Sequence, residues 1–296
     1  MGFSERKKFK RMPYKINMKG FNRLIGFCPW YLRKIICLWF IKRKRLRDYP
    51  FQVSFHGFKF KGNAVNLIDY HILSRGCFEP GLTLLMQHIG KSCEKPALLL
   101  DVGANVGVHS IASCTFYEKV ISVEPNPDLV KRLHELIEIN DISNISIISK
   151  ALSEKPGTAN FTMPPKGNLG VGKIDNTNDS GDNSFEVNIV TGDEIISSQT
   201  LPLLFLKIDV EGHEISVLKG LNTSLLEHRP FIALEILSVQ KTSEIKSIIP
   251  CNYTLYEICR INKKNFYLMK MTDDRIGDLL LCPNEKVDFI QKFIKG

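Results

Sequence analysis

Several things are missing from this chain of 296 residues, and each absence narrows what it can be. Its eight cysteines, at 28, 37, 77, 93, 114, 251, 259 and 282, contain no CxxC pair. That spacing excludes a zinc ribbon and a thioredoxin-type redox motif. A chain this long has no need of disulfide staples, so the cysteines are expected reduced and mostly buried. No run reaches the ~18 apolar residues that a membrane-spanning helix requires. The first long apolar stretch begins too late, and is too interrupted by charge, to be a secretory signal. A cytoplasmic location is therefore the expectation. Tryptophan is scarce, and both copies, Trp30 and Trp39, lie in the first 50 residues. The dinucleotide fingerprint GxGxxG is absent as well.

What is present begins with an uneven charge. The net +9 is concentrated in residues 1–50, which carry 15 Lys/Arg against Glu5 and Asp48. Residues 51–296 carry 25 Lys/Arg against 29 Asp/Glu and are slightly acidic. The body thus lacks the basic face of a nucleic-acid binder. Residues 24–41 are apolar apart from Arg33 and Lys34, and Lys42-Arg43-Lys44-Arg45 follows. Residues 24–47 suit a segment lying in an anionic membrane interface, making peripheral contact at the inner face of the membrane. A pair of helices packed on the body is the competing reading.

Three regions are expected: a basic, aromatic arm over 1–50, a cap over 51–96 and a main domain over 97–296. In the cap, residues 51–61 alternate as a hairpin turning at His56-Gly57. Residues 64–93 read as helical after Glu79-Pro80-Gly81, where proline suits the first turn. The main domain alternates strand and helix: strands at 97–102, 120–124, 145–149, 203–209 and 231–235, and helices at 106–117, 128–140, 214–221 and 239–248. Such alternation predicts an α/β fold, a Rossmann-like and mostly parallel sheet with right-handed crossovers. Residues 254–260 and 265–271 predict a closing antiparallel hairpin. The insert 163–183 is rich in Gly, Asn, Asp and Pro, and reads as a lid or as a surface insert.

Chemistry concentrates at the carboxyl ends of the strands, where ligands bind in open α/β sheets. The first strand delivers Asp101 and the turn Gly103-Ala104-Asn105-Val106-Gly107. The second delivers Glu124, followed by Pro125-Asn126-Pro127. A carboxylate at that strand end accepts hydrogen bonds from a ribose diol. Asn105 stands where a dinucleotide site wants its second glycine. Asp101 and the surrounding acids suit an ammonium and a sulfonium better than a pyrophosphate. The fourth strand opens into Asp209, Glu211, His213 and Glu214, with Lys207 among them, and the fifth ends at Glu235. Acids favour a helix start; that explains Glu214 well and Asp209 poorly.

DVGANVG, VEPNP and KIDVEGHEISVLKG, in that order, resemble the FkbM family of S-adenosylmethionine-dependent methyltransferases over roughly residues 70–240. Phe78-Glu79-Pro80, Lys150-Ala151-Leu152, which is expected to end the third strand, and Thr191-Gly192-Asp193-Glu194 are weaker matches, the last departing from a Thr-Leu-Asp-Glu element at Gly192. The resemblance implies a class I methyltransferase sheet of seven strands with the last antiparallel, and O-methylation of a sugar or polyketide-type hydroxyl. It implies that Asp101, Gly103, Ala104, Asn105 and Gly107 surround the methionine and ribose of the cofactor. It implies further that Glu124 and Pro125 meet the ribose and that Ala151-Leu152 borders the adenine.

An alcohol acceptor needs a base. Asp209 is the first choice, with Glu211, His213 and Glu235 as alternates and Glu79 as a substrate contact from the cap. The same carboxylates could hold Mg²⁺. A nicotinamide oxidoreductase, an N- or carboxyl-methyltransferase and a non-catalytic binding protein are the alternatives. The acceptor is expected to be a small-molecule or glycan hydroxyl.

Overall fold

The computed structural model describes residue 35 and residues 50–163, 172–175, 184–236, 238–262, 265–273 and 276–295. The arm, with the segment 24–47 expected at a membrane, lies outside the described residues apart from Ile35 and Pro50, as does most of the insert 163–183. Among the described residues, no helix is long and apolar enough to cross a membrane.

The chain opens with β1 (Pro50–Phe55) and β2 (Phe58–Asn63), paired antiparallel with Phe55 opposite Phe58. The two turn residues, His56 and Gly57, both have positive φ, as a two-residue hairpin turn of the primed type demands. The helical stretch of the cap divides into α1 (Leu67–Arg75) and α2 (Pro80–Ser92), because Gly76 closes α1 in the left-handed conformation at φ 71°.

The α/β core then runs through β3 (Leu98–Val102), α3 (Val108–Ser113), β4 (Lys119–Val123), α4 (Pro127–Glu138) and β5 (Ile145–Ile148). A second sheet follows, from β6 (Ala151–Leu152), β7 (Gly157–Thr162), β8 (Lys173–Asp175) and β9 (Ser184–Val190). The core resumes with α5 (Gly192–Ser197), β10 (Leu203–Ile208), α6 (Glu214–Lys219), α7 (Asn222–His228), β11 (Phe231–Ile236) and α8 (Val239–Ile248). It ends with β12 (Tyr253–Arg260), β13 (Phe266–Lys270), β14 (Gly277–Pro283) and β15 (Ile294–Lys295).

The main sheet has the order β15-β13-β12-β14-β11-β10-β3-β4-β5. Strands β11, β10, β3, β4 and β5 are mutually parallel. The hairpin β12–β13 is present, but the strand that completes the sheet is β14, which inserts antiparallel between β11 and β12. The hydropathy pattern alone does not reveal that strand. The class I methyltransferase sheet is thereby complete. The chain runs outward from β3 in one direction through β4 and β5, and in the other through β10 and β11. The crevice for a ligand therefore opens at the carboxyl ends of β3 and β10.

Strands β3 and β10 are buried at every position, as central parallel strands must be. Their alternation sorts side chains between two layers. Leu98, Leu100 and Val102 pack with Val217, Leu218 and Ile245 of the helices on one face. Leu99 and Phe205 pack with Leu85, Met86 and Ile89 of α2 on the other. A third cluster joins Phe55 and Phe60 of the hairpin to Ile111 of α3 and Leu133 of α4, so the cap is packed onto the core.

Contrary to the expectation from the motif, Ala151 and Leu152 do not end the third strand. They pair parallel with Ile189 and Val190 of β9 and begin the second sheet. The Thr191–Glu194 match has a local cause too: the two side chains form a reciprocal cap at the start of α5. A side chain on Gly192 would run into Leu221, which fills that space.

One buried ion pair fastens the cap. Asp69 of α1 is fully buried and receives two 2.9 Å hydrogen bonds from Arg132 of α4 and one of 2.8 Å from the Asn63 backbone N–H. Removing one partner of such a pair strands the other charge. We expect Arg132→Ala to cost about 3 kcal/mol in urea unfolding; a loss within about 0.5 kcal/mol, the range of ordinary surface substitutions, would remove this pair from the account of the cap.

Candidate active site

The turn after β3 is shaped by its neighbours. Gly103 has φ 73°, and a Cβ there would stand 1.8 Å from the backbone oxygen of Asp209. Only glycine lets the β3 and β10 turns approach this closely. Backbone N–H groups of Gly103 and Ala104 both donate to the Val123 carbonyl, at 2.9 and 3.0 Å. Asn105 takes φ 54°, and its Oδ1 accepts from the Val106 N–H at 2.8 Å.

Glu124 is buried at the end of β4. Its two carboxylate oxygens each accept a backbone N–H at 2.9 Å, from Asn105 and from Asn126. Burial raises its pKa to about 7, against the opposing pull of those two hydrogen bonds. Asn126 in turn caps α4, accepting from the Asp128 N–H at 2.9 Å, with Pro127 in the first turn.

These groups line a cavity. Gly103, Asn105, Glu124 and Pro125 form one side, and Asp209, Val210 and Glu211 close one end. Lys150, Ala151, Leu152, Phe161, Gly172 and Ile174 close the side facing the second sheet. The insert therefore contributes wall to the cavity at its described residues. Three carboxylates and one lysine line this space, a donor set suited to a cation and unsuited to a pyrophosphate. The apolar walls from Leu129, Leu152, Phe161 and Ile174 suit a flat heterocycle. An adenosyl sulfonium fits both features.

A second cavity adjoins the first at Asp209, which lines both. Here Asp209 meets Glu79, Glu235 and Asp278 around Lys207. Burial, then the charge of Asp209 and its neighbours, lifts Glu235 to about 7. Burial, then Glu79 and Asp209, lifts Asp278 to about 6. Glu79 goes the other way. Burial pushes it up, but the hydrogen bond and charge of His109, with Lys207, outweigh burial and hold it below the usual range. His109 Nε2 lies 3.0 Å from Glu79 Oε2, and its Nδ1 lies 3.2 Å from Thr83 Oγ1.

Lys207, 3% exposed, lines the second cavity and not the first. Its Nζ donates to the Gly103 carbonyl at 2.9 Å and lies 3.3 Å from Asp101 and 3.4 Å from Asp209. Lys207 and Asp101 are register partners on adjacent strands, and Ser122 of β4 is the next in the row. Ser110 Oγ bridges that row, donating to Asp101 Oδ2 at 2.6 Å and lying 2.7 Å from Ser122 Oγ. Asp101 Oδ1 has no hydrogen-bond partner of good geometry and meets Lys207 as an ion pair. Burial lowers the proton affinity of Lys207, but the charges of Asp101, Asp209 and Glu79 reverse that and hold it firmly protonated.

The remaining expected site residues lie at varying removes from the cavities. Asp101 is fully buried and committed to Ser110 and Lys207; it does not line the cofactor cavity. Ala104 is buried behind the turn, and Gly107 packs against Leu133 as it leads into α3. Neither lines the cavity. His213 turns away, its Nε2 2.9 Å from Ser153 Oγ, and lines neither cavity. Glu211 borders the cofactor cavity, its pKa raised by burial and then by Asp209 and Glu214. Glu79 and Glu235 line the acid pocket with Asp209.

Sequence reasoning misses Lys207, His109 and Asp278 as functional groups. Only Lys207 carries a signal, a lone charge inside an otherwise apolar strand. Three non-glycine residues here, Glu79, Asn105 and Glu211, have positive φ of 35°, 54° and 51°. Such strain costs of order 1–3 kcal/mol each and gathers around these cavities. Among the described residues no three His, Cys, Asp or Glu side chains are arranged to hold a metal ion, so the Mg²⁺ expectation finds no ligand set there.

Comparison with known proteins agrees with the motifs. The model of the methyltransferase FkbM domain matches residues 101–271. Hexuronic acid methyltransferase AglP of Haloferax volcanii is 28% identical over 180 residues, covering 60% of this chain and 72% of that protein. Among solved structures, the FkbM methyltransferase of Methylobacillus flagellatus has a TM-score of 0.41 at 18% identity; the match covers 72% of this chain and about half, 52%, of that one. A SAM-dependent methyltransferase of Agrobacterium tumefaciens has a TM-score of 0.45 at 9% identity, covering 79% of this chain and 70% of that one.

Replacing Lys207 by Met removes the cation and keeps the volume. Asp101 is then left buried without its counter-charge, and we expect a loss of about 3–5 kcal/mol in unfolding free energy. A Lys207→Met protein as stable as the wild type would show that this ion pair does not hold the two turns together.

Proposed function

Because the chain belongs to the FkbM methyltransferase family, we propose that it transfers the methyl group of S-adenosylmethionine to a hydroxyl of a sugar or related acceptor. The observation that carries this reading is Asp209, one carboxylate shared between the cofactor cavity and the acid pocket. S-adenosylmethionine, when bound, supplies a methyl group on a sulfonium that a nucleophile can displace in line.

The protein's own part is positioning, exclusion of water and removal of one proton. Glu124 faces the ribose hydroxyls, braced by the Asn105 and Asn126 N–H groups. The backbone at Ala151 and Leu152 borders the adenine. Lys207 holds Asp209 at the junction, and Asp209 accepts the proton of the acceptor hydroxyl while the hydroxyl oxygen takes the methyl. Glu235 lies beside it in the same pocket.

The relative's hexuronic acid offers both hydroxyls and a carboxylate. Four acids around the acceptor position disfavour a carboxylate there by like-charge repulsion, which supports a hydroxyl as the methylated group. An alkali-stable ether product agrees with that choice, and an alkali-labile ester contradicts it.

Glu124→Ala should weaken S-adenosylmethionine binding by about 1–3 kcal/mol in calorimetry, through lost charge-assisted hydrogen bonds; unchanged affinity would sink the ribose assignment. Asp209→Asn should lower kcat by about 10²–10⁴-fold with cofactor affinity nearly unchanged, and wild-type turnover would remove Asp209 from the chemistry. The acid pocket gains negative charge as pH rises through about 6 for Asp278 and about 7 for Glu235. Negative charge there favours proton transfer to Asp209. Turnover should accordingly climb across this range, and Glu235→Gln should flatten its upper part; a profile unaltered by Glu235→Gln would disconnect that residue from the reaction.

A further inference from the structure

The cleft does not end at the acid pocket. That pocket is smaller than the chamber beyond it and is lined by four carboxylates, which suits a hydroxyl and repels an anion. An outer chamber of about 220 Å³ shares Glu79, Leu82, Ile258 and Asp278 with it. The acceptor's bulk belongs there.

The outer chamber has the opposite charge at its mouth. His71 and Arg75 line it from α1, and Arg260 lines it from the end of β12. Two separate parts of the fold thus bring guanidinium groups to one chamber. Burial first, then the positive charges of Arg75 and Arg260, depress the proton affinity of His71, so these groups feel one another across the chamber. The cleft is therefore sorted by charge, with carboxylates at the inner neck and cations at the outer mouth. A neutral sugar has no use for such a gradient. A molecule with an anionic end has one orientation that satisfies it.

We propose that the acceptor carries an anionic group, a carboxylate or a phosphate, which Arg75 and Arg260 hold at the mouth while a neutral hydroxyl of the same molecule enters the neck at Asp209. This rests on the methyl-transfer reading of the cleft. The guanidinium fork matches either oxyanion through paired, charge-assisted hydrogen bonds. The neck repels the same anion, so the gradient fixes which end of the acceptor reaches the methyl.

The test is calorimetric titration of the full chain saturated with S-adenosylhomocysteine, at low ionic strength. Three probes are compared: a hexuronate, a hexose phosphate and the unsubstituted hexose. At least one anionic probe should bind about tenfold or more tighter than the hexose, and the Arg75→Gln/Arg260→Gln double variant should lose about tenfold or more of that affinity. Arg260→Lys should retain part of it, and S-adenosylhomocysteine affinity should stay at the wild-type value in every variant. The preferred anion separates carboxylate from phosphate. Anionic probes that bind no tighter than the hexose, or that bind the double variant as they bind the wild type, overturn the proposal and leave the methyl-transfer reading standing. Failure of S-adenosylhomocysteine itself to bind brings down both.

Discussion

A single buried ammonium organises the centre of this protein. Lys207 joins three groups at the ends of two adjacent strands: the carboxylate of Asp101, the carbonyl of Gly103 and the carboxylate of Asp209. Burying a charge is costly unless it is paired and hydrogen-bonded, and here each partner is itself part of the site or directly beneath it. The Gly103 turn shapes the cofactor cavity. Asp209 stands where that cavity meets the acid pocket. One cation thereby ties the Gly103 turn to the carboxylate that the two cavities share. The close approach of Gly103 to the Asp209 backbone works to the same end, since neither turn can shift without the other.

Around that centre the fold arranges charge by depth. Glu124 is held among backbone N–H groups deep in the cofactor cavity. Four acids surround the neck, and three potential cations line the mouth. The elements that carry them are far apart in sequence, from α1 and the start of α2 to β12 and β14. The cap is thus more than a cover. It supplies Glu79 in a strained backbone conformation, and that residue's partner, His109, lies on α3 of the core.

Much of this architecture is legible in the amino-acid sequence. The parallel strands are visible because central strands, buried on both faces, read as short apolar runs ended by acids and glycine. The helices at 127–138 and 80–92 announce themselves through proline in the first turn. His56-Gly57 marks the hairpin of β1 and β2. Other parts are hidden for physical reasons. β14 has no neighbour in sequence to pair with and gains its place only by inserting between β11 and β12. The small second sheet has, among the described residues, an apolar cluster of Ala151, Phe161 and Val187 with a few partly buried neighbours. In the site, Asp101 reads as a ligand contact because acids at strand ends usually face the crevice. Its register opposite Lys207 turns it inward instead. His213 sits amid acids in the sequence, yet Ser153, 60 residues earlier, takes its ring nitrogen. His109 and Asp278 become identifiable only once α3 and β14 are placed.

The central claim is that one carboxylate, Asp209, stands between methyl donor and acceptor while Glu124 faces the donor's ribose. A crystal structure of the full chain with S-adenosylhomocysteine tests it most directly. The account predicts the ribose hydroxyls on Glu124, the adenine against Ala151 and Leu152, and the sulfur at the Asp209 end of the cavity, facing the acid pocket. A ligand whose sulfur points away from Asp209, or whose ribose does not touch Glu124, would contradict it.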